Sequence, residues 1–427
     1  MRKPRVMVVS NECLSEGGSN GRTLRNFLVG WPKECLAQFY IHGSSPDFEV
    51  CSRYYRITDR QALMALLYGG NGGGVVECDG NNPIVAEEKT AGRPRRNALT
   101  MLVRELVWSS RRWMGNGFLQ WTEAYSPQLI LLQAGDCAFM FRIAEGLAER
   151  YGAPLVIYNS EDYYFKTYDY FRGIGLTHWC YPLFHRHFCR VFERVVKKAK
   201  MSVYIHEFLQ DAYDSTFSLP STTIYTATKI RAEKKDTPAR GFVVSYLGNL
   251  GVGRHKALIE IAEALQCVSE HVFLDVYGKM PDEKICGELE ACPGIRYRGF
   301  VSYKDVVRIM CESDLLIHAE NFDAFYREDL RNAFSTKIAD SLASGTCFLL
   351  YAPEEMACSR YLLKHEAAHV ITDRGELEGR LREIITDRSV RERYLENAAR
   401  LTVENHCAER NAAMFQERLL QVAEEAV

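Results

Sequence analysis

The chain lacks the features that mark membrane-spanning and nucleic-acid-binding proteins. It has no apolar run long enough to cross a bilayer, and the run at 6–9 is too short for the core of a signal peptide. It has no excess of positive charge, because 53 Lys and Arg face 55 Asp and Glu. That balance gives no global attraction to nucleic acid. We therefore expect a cytoplasmic protein with no nucleic-acid partner.

The chain also lacks a disulfide framework, although it contains 14 cysteines. These are scattered, and Cys137 and Cys347 lie within apolar runs, which is typical of reduced thiols. The densest group of His and Cys, at 178–189, fits no standard zinc-finger spacing and is interrupted by aromatic residues. We expect no metal site there.

What the chain does contain is a strand, a glycine-rich loop and a helix, in that order, near its start. The apolar run 6–9 suits a buried parallel strand. The loop after it contains Gly17, Gly18, Asn20 and Arg22, and a helical pattern follows. The glycines do not fit Gly-x-Gly-x-x-Gly, so the dinucleotide interpretation is weak. The loop is nevertheless expected at the crevice edge of a parallel sheet.

Further along the first half, strands are predicted at 129–132 and 155–158, with a helix at 138–151 between them. Glu161 and Asp162 follow the second of these strands. Acidic residues at the carboxyl end of a buried strand suit a binding crevice.

The same organisation returns after a charged stretch at 228–241. A strand at 242–247 leads into a loop with Gly248, Asn249 and Gly251, and Arg254 and Lys256 follow. Further strands are predicted at 271–277 (before Gly278), 295–299 and 314–317, with helices at 257–267 and 302–311. Alternating strands and helices predict an α/β fold with parallel sheets. The predicted division is a first domain at 1–227, a linker at 228–241, a second domain at 242–407 and a terminal helix at 408–427.

The segment 334–351 is the most informative part of the chain. It predicts a loop, a helix that Ser335 and Thr336 can cap, a stop at Gly345 and a buried strand. Lys337 lies in the first helical turn, where a cation is unfavourable unless an anion joins it. Asp340 lies one turn further on the same face. A lysine for phosphate and a carboxylate for ribose would bind a nucleotide diphosphate; the alternative is an ordinary surface helix.

Those residues carry a family resemblance. Ser-Thr-Lys-x-x-Asp-x-x-Ala-x-Gly at 335–345 resembles the donor-site segment of GT-B glycosyltransferases, the family 4-like group, and the segments 246–251, 274–278 and 297–302 resemble successive motifs of the same domain. The resemblance implies an α/β fold of two Rossmann-like domains facing across a cleft. It implies that Asp340 takes the place of the family's ribose-binding glutamate. The family's other glutamate would fall on Asn332, so the Glu320-x7-Glu328 spacing is interpreted as chance.

The resemblance also implies a chemistry. Such enzymes stabilise the departing diphosphate with cations and helix dipoles, so the predicted donor residues are Gly248, Asn249, Gly251, Arg254, Lys256, Gly278, Lys337 and Asp340. No metal and no cofactor are implied, and a nucleotide-diphosphate sugar is the substrate. The acceptor would be a hydroxyl of a glycan or a lipid-linked glycan. Asp162 and Glu161 are the predicted catalytic carboxylates if the reaction inverts, with capping of a helix by Asp162 as the alternative.

Two other functions fit the same residues: a glycosyltransferase-like partner subunit without activity, and a nucleotide-sugar epimerase of the same fold.

A separate question concerns 93–113, where Arg and Trp are mixed. This segment is either a membrane-surface patch at the inner face of the membrane or an amphipathic helix packed on its own domain. The ordinary spacing of Leu and Val favours packing.

Overall fold

The computed structural model describes residues 3–17, 19–42, 45–70, 72–79, 82–83, 96–231 and 241–426. The chain forms two compact units: unit 1 is Met1–Tyr225 with Ala408–Val427, and unit 2 is Thr226–Cys407. Gly18, residues 93–95 and residues 232–240 of the predicted linker lie outside the described residues. Within the described ranges, no helix combines the length and the apolar character needed to cross a membrane.

Unit 1 is built on a sheet of the order β10-β9-β8-β7-β1-β2-β3-β4, parallel except where β4 runs antiparallel to β3. The strands are β1 (Val6–Ser10), β2 (Leu36–Tyr40), β3 (Arg53–Arg56), β4 (Gly74–Val76), the small pair β5 (Cys78–Asp79) and β6 (Asn82–Pro83), β7 (Leu129–Gln133), β8 (Leu155–Asn159), β9 (Met201–Tyr204) and β10 (Ser221–Thr223). The helices are α1 (Ser19–Leu28), α2 (Asp59–Tyr68), α3 (Ala98–Ser109), α4 (Asn116–Tyr125), α5 (Ala138–Tyr151), α6 (Leu176–Trp179), α7 (Tyr181–Val196) and α8 (Glu207–Asp214).

Strand β1 shows why this sheet is apolar on both faces. All five of its residues are buried. Met7 and Val9 point into one hydrophobic core, and Val6 and Val8 point into a second core on the other face. A parallel sheet covered by helices on both sides requires this continuous apolar run.

Unit 2 is built on an all-parallel sheet of the order β13-β12-β11-β14-β15-β16. Its strands are β11 (Val244–Leu247), β12 (Leu274–Tyr277), β13 (Ile295–Gly299), β14 (Leu315–Ala319), β15 (Cys347–Tyr351) and β16 (His369–Ile371). Its helices are α9 (Arg254–Val268), α10 (Glu283–Glu290), α11 (Tyr303–Glu312), α12 (Ala324–Asp329), α13 (Lys337–Ala343), α14 (Ala357–His365), α15 (Leu377–Thr386), α16 (Arg388–Glu392) and α17 (Leu395–Asn405). The order of strands reverses between β11 and β14, as in doubly wound nucleotide-binding folds.

The last helix, α18 (Ala408–Glu424), belongs to unit 1, where it packs on α1. The Phe415 ring stacks on Phe27 with centroids 5.0 Å apart, and Gln416 Nε2 donates to the Phe27 carbonyl at 3.1 Å. The first residues of the predicted linker are packed in unit 2, because the Thr228 amide donates to the His406 carbonyl at 2.9 Å and Ile230 is buried.

The positions of the two tryptophans of 93–113 decide between a membrane-surface patch and packing on unit 1. Trp108 and Trp113 are both buried. Trp108 stacks on Phe139 with centroids 4.7 Å apart, and Trp113 stacks on Phe39 at 5.8 Å. These rings are therefore part of the core of unit 1, and the interpretation of them as membrane-surface residues is wrong.

Candidate functional site

The carboxyl ends of β11 and β14 meet in unit 2, where the strand order reverses. The loop 248–253 follows β11 and leads into α9, and Glu320 and Asn321 follow β14. Ligands of open α/β sheets bind at such a point, because the loops on either side diverge and leave a crevice. This is the candidate functional site of unit 2.

Close contact between the two strand ends sets the path of the glycine loop. Asn321 Nδ2 donates to the Gly253 carbonyl at 2.9 Å, and a Cβ atom on Gly253 would lie 2.1 Å from that nitrogen. Gly253 has φ +76°, in the left-handed region that favours glycine. Val252 beside it has φ +52°, an uncommon conformation for a β-branched residue. Such strain persists only where the surroundings enforce it, which is common at ligand sites.

The predicted glycines Gly248 and Gly278 allow the loops after β11 and β12 to touch. The Gly248 amide donates to the Tyr277 carbonyl at 2.9 Å, and a Cβ atom on Gly278 would lie 2.1 Å from the Gly248 carbonyl oxygen. Asn249 turns the loop, because its Oδ1 accepts from the Gly251 amide at 2.8 Å. The predicted residues Gly248, Asn249, Gly251 and Gly278 are thus brought together at one edge of the sheet.

Arg254, the first residue of α9, is bound by a carboxylate from β14. Its Nε donates to Glu320 Oε2 at 2.9 Å and its Nη2 donates to Oε1 at 2.6 Å. His318 Nε2 lies 3.1 Å from the same Oε1. The Arg254 and Glu320 side chains are 14% and 5% exposed, so the pair is shielded from water and its charges interact strongly.

The charges of this cluster shift its acid–base equilibria. Burial would raise the pKa of Glu320, but Arg254 and His318 outweigh it and lower the pKa to about 2. Burial lowers the pKa of His318, and the charges of Arg254 and Lys337 lower it further, against the opposing effect of Glu320. His318 is therefore neutral at pH 7 and donates from Nε2 to the ionised Glu320.

Lys256 and Lys337 differ in their surroundings. Lys256 is exposed and its Nζ donates to Asp323 Oδ2 at 2.8 Å. Lys337 is half-buried, and its charge contributes to the lowered pKa of His318. Of the two predicted lysines, Lys337 is therefore the less exposed one.

The start of α13 differs from the sequence expectation. Thr336 already has helical backbone angles, and its side chain does not cap the helix. The Lys337 amide instead donates to Ser335 Oγ at 3.4 Å. Gly345 has φ +66°, which confirms it as the residue that ends the helix. Asp340, the predicted ribose ligand, accepts from the Thr228 hydroxyl at 2.6 Å, so its carboxylate is held in one orientation.

In unit 1 the strand order reverses between β1 and β7, and the predicted acceptor loop lies at this point. The main-chain oxygen of Asn20 accepts from Gln133 Nε2 at 3.2 Å, at the end of β7. Its Oδ1 lies 3.5 Å from Ser160 Oγ, which follows β8. Gly17 is exposed and Arg22 is half-buried.

The two predicted catalytic carboxylates have different surroundings. Asp162 is buried, and its Oδ1 accepts from the Phe165 amide at 3.1 Å and from the Tyr213 hydroxyl at 3.0 Å. No helix begins there, so Asp162 holds a turn and does not cap a helix. Glu161 is exposed and accepts a hydrogen bond from the Tyr163 hydroxyl.

The sequence did not reveal a third acidic group in unit 1. Asp136, after β7, is buried against the Arg96 guanidinium, and the Tyr170 hydroxyl donates to its Oδ2 at 2.9 Å. Burial and the Asp136 charge raise the pKa of Tyr170 well above its ordinary value. The position of Asp136 after a buried strand was the one signal that could have identified it.

The three His residues at 178–187 contact three different partners, and Cys189 shares the Tyr164 carbonyl with His185. His178 Nδ1 lies 3.0 Å from Asp169 Oδ2, His187 Nε2 lies 3.0 Å from Glu105 Oε1, and His185 Nε2 lies 2.9 Å from the Tyr164 carbonyl. Over the part of the chain that the structure describes, no three His, Cys, Asp or Glu side chains are grouped to hold a metal ion.

Comparison with known proteins gives the class of this fold. Residues 254–417 match the model of a glycosyl transferase-like family. Sucrose-phosphate synthase from Thermosynechococcus elongatus is similar over 99% of this chain and 100% of its own, with 11% identity and a TM-score of 0.65. Alr3699/HepE of Anabaena, in complex with UDP and glucose, is similar over 98% and 100%, with 13% identity and a TM-score of 0.63.

A third solved structure is WaaG, a glycosyltransferase involved in lipopolysaccharide biosynthesis, which is similar over 96% of this chain and 99% of its own, with 13% identity and a TM-score of 0.57. No match was found among curated protein sequences. The fold is that of the GT-B glycosyltransferases, and the α/β prediction with two parallel sheets is confirmed. The match to the glycosyl transferase-like family covers residues 254–417 and agrees with this fold.

Proposed function

We propose that this glycosyltransferase transfers a sugar from a nucleotide-diphosphate donor to a hydroxyl of a glycan or a lipid-linked glycan. The donor diphosphate would bind at the carboxyl edge of the unit 2 sheet. HepE of Anabaena, which has the same fold, was crystallised with UDP and with UDP-glucose, so uridine is the first base to test.

The observation that carries this proposal is the start of α9. The helix has 15 residues, begins at the reversal of strand order, and has no side chain that caps its N-terminus. The Arg254 and Lys256 amides already donate to the Gly251 and Gly253 carbonyls at 3.2 and 3.1 Å, so the helix dipole is the feature of this end that would attract phosphate. The loop 248–253 aims this end of the helix at the crevice.

Lys337 would supply the charge that pairs with the diphosphate. As the glycosidic bond breaks, negative charge grows on the leaving group, and a cation fixed beside it stabilises the transition state. Arg254 has a different role in this proposal, because both carboxylate oxygens of Glu320 already bind one edge of its guanidinium. It would hold the first turn of α9 against the end of β14, and so keep the N-terminal end of the helix in place.

Asp340 stays the proposed ribose ligand, and Thr228 would keep its carboxylate in one orientation. On the acceptor side, Glu161 is the accessible carboxylate, while Asp162 is buried and holds its turn. We therefore assign proton removal from the acceptor to Glu161 if the reaction inverts, and the positioning of the loop to Asp162.

A lipid-linked acceptor would bring the protein to a membrane surface as a peripheral protein. The similarity to WaaG, whose role is in lipopolysaccharide biosynthesis, supports a glycan acceptor of this kind. The proposal contains no metal or cofactor step, and the residues assigned to the donor would act through charge and amide hydrogen bonds alone.

A thermal-shift screen with nucleoside diphosphates and the matching nucleosides tests the donor site. A ligand at about 100 times its dissociation constant adds about 2.7 kcal/mol to the stability of the folded state. We expect a shift with a diphosphate, a reduced shift in Lys337→Ala, and an unchanged shift in the control Lys284→Ala, whose side chain is 85% exposed on α10.

Analysis of products from a nucleotide sugar then separates the three functions. Transfer or slow hydrolysis of the donor supports the proposal. Conversion to an isomeric nucleotide sugar would indicate an epimerase, and binding without any turnover would indicate an inactive partner subunit.

A further inference from the structure

Unit 1 exposes a group of large apolar side chains on neighbouring elements. On α3 three of them are spaced as one helical stripe. Around α6 the other four lie within the ten residues 174–183. We call this group the α3–α6 surface; it consists of Leu99, Val103, Leu106, Ile174, Leu176, Trp179 and Leu183. Ile174 is 86% exposed and Trp179 80%, which is unusual for side chains that are ordinarily buried.

The two parts of the surface are tied together. Helix α3 packs against both α6 and α7. The Glu105 carboxylate of α3 binds His187 of α7, with Oε1 3.0 Å from Nε2. The exposed residues of α3 and those that follow residue 173 therefore lie on neighbouring elements of unit 1.

The conformation of the loop 169–175 fixes the exposure of the apolar side chains around α6. The Asp169 carboxylate accepts from the Phe171 and Gly173 amides, both at 3.0 Å, and contacts His178. Arg172 and Gly175 both have positive φ angles, which turn the chain sharply between these contacts. The loop is thus held in a shape that directs Ile174, Leu176 and Trp179 to solvent.

The two segments that carry the surface are rich in positive charge, although the half-exposed Asp59 of α2 binds Arg104 of α3. Segments 96–112 and 165–190 contain eight Lys and Arg but only two carboxylates, Glu105 and Asp169, in a chain whose net charge is -2. Both carboxylates are bonded to neighbouring groups, and their side chains are only 11% and 3% exposed. The exposed charges on the two segments are therefore all positive: Arg96, Arg111, Arg112, Arg172, Arg186 and Arg190.

We propose that the α3–α6 surface binds an anionic lipid bilayer. Leu, Ile and Trp side chains enter the boundary between headgroups and acyl chains, where the indole ring is favoured. The exposed arginines of the two segments pair with anionic headgroups, which adds electrostatic attraction near a charged membrane. The absence of exposed carboxylates on these two described segments favours a lipid over a protein partner, which would ordinarily meet charges of both signs.

This inference deepens the proposed function and rests on it for its purpose, because a lipid-linked acceptor is presented at a membrane. Binding to the membrane would place unit 1, which carries the predicted acceptor loop, at the source of that acceptor. Lipid binding itself depends only on the α3–α6 surface and not on the donor site.

Co-sedimentation of the full-length protein with acceptor-free vesicles tests the inference. We expect binding to vesicles with about one third phosphatidylglycerol and little binding to pure phosphatidylcholine. The double variant Ile174→Ser and Trp179→Ser should bind at least tenfold more weakly. The control Phe300→Ser, in unit 2, removes a side chain that is 79% exposed and should bind as the unchanged protein does. High salt should weaken binding, because exposed charges are screened.

Three results would overturn the inference: no binding of the unchanged protein, equal binding by the double variant and the control, or equal binding to both vesicle types. If light scattering shows that the double variant alone turns a dimer into a monomer, the surface is an interface between copies of the chain. UDP binding, measured on the same samples, separates this test from the donor proposal, because vesicle binding needs no nucleotide.

Discussion

Arg254 and Glu320 form a two-point ion pair at the reversal of strand order in unit 2, with Nε–Oε2 and Nη2–Oε1 distances of 2.9 and 2.6 Å. The pair joins the first residue of α9 to the end of β14, 66 residues away along the chain. His318 Nε2 donates to the same Glu320 Oε1 that Arg254 Nη2 contacts. The proposed donor site thus contains a buried charge network, and the exposed pair of Lys256 and Asp323 lies outside it.

The burial of this pair predicts an unequal response to the loss of one charge. Glu320→Gln leaves Arg254 charged without its counter-ion in a shielded place, so we expect a loss of about 3 kcal/mol of unfolding free energy. Asp323→Asn breaks the exposed pair and should cost less than about 1 kcal/mol. Urea denaturation of both variants measures the difference; equal losses would show that the Arg254–Glu320 pair is not shielded.

The glycine loop predicts a steric effect at one position. Gly253→Ala must accommodate a Cβ atom 2.1 Å from Asn321 Nδ2 at φ +76°, so we expect a loss of about 3 kcal/mol and weaker diphosphate binding. Gly287→Ala is the control, since its Cβ atom meets nothing within 4 Å and alanine favours the interior of α10. That variant should gain about 0.5–1 kcal/mol in denaturation. Similar results from both would contradict the assigned loop geometry.

The burial of His406 predicts that the folded state loses stability as the pH falls. Burial lowers its pKa to about 4, the carbonyl of Thr226 partly opposes this, and the charge of His365 adds to it. Nδ1 donates to the Thr226 carbonyl at 2.8 Å, and Nε2 accepts from the Tyr361 hydroxyl at 2.9 Å, so the ring is neutral. The unfolded chain takes up the proton near pH 6.5, before the folded chain does. Stability from this group is therefore complete above pH 6.5 and is lost as the pH falls toward 4.

Chemical denaturation between pH 7.5 and 4 tests this dependence. The difference in stability between the unchanged protein and His406→Gln should shrink by about 3 kcal/mol over that range. His271→Gln, at a ring that is 87% exposed, should follow the unchanged protein throughout. A constant difference between the unchanged protein and His406→Gln would mean that His406 is not held neutral.

The carboxylates after β8 predict a division of roles. Glu161→Gln should reduce kcat at least 100-fold without weakening donor binding, as expected for removal of a general base. Asp162→Asn keeps an Oδ1 atom that can accept from Phe165 and Tyr213, so transfer should stay within about tenfold. Transfer kinetics at saturating donor measure both. Complete loss in Asp162→Asn with normal folding would return the catalytic role to that residue.

Local signals predicted the secondary structure where they were strong. The helix at 138–151 and the strands at 295–299 and 347–351 have the bounds that the sequence predicts, because glycine or proline marks their ends. Strands β2 and β3 were not predicted, since Gln38 and two arginines interrupt the apolar pattern. The amide of Gln38 is satisfied by Leu14 and Ser10, and these contacts depend on the fold.

In the candidate site too, local sequence signals were predictive and long-range contacts were not. Glycines that need a special conformation, and Lys337 in a first helical turn, are visible in the sequence. The partners of Arg254 and Asp340 are 66 and 112 residues away, so no local pattern could reveal that these side chains are already bound to other groups. The spacing between Glu320 and Glu328 was set aside as chance, yet Glu320 proves to be central to the buried network.

Isothermal titration of the protein with UDP, and with uridine as the matched ligand without phosphate, is the decisive experiment for the proposed donor site. We expect saturable binding of a nucleoside diphosphate (UDP, or GDP and ADP in turn), negligible binding of the nucleoside, and at least tenfold weaker diphosphate binding by Lys337→Ala. Lys284→Ala should bind as the unchanged protein does. Failure of every nucleoside diphosphate to bind, or equal affinity of the Lys337→Ala and Lys284→Ala variants, would contradict it.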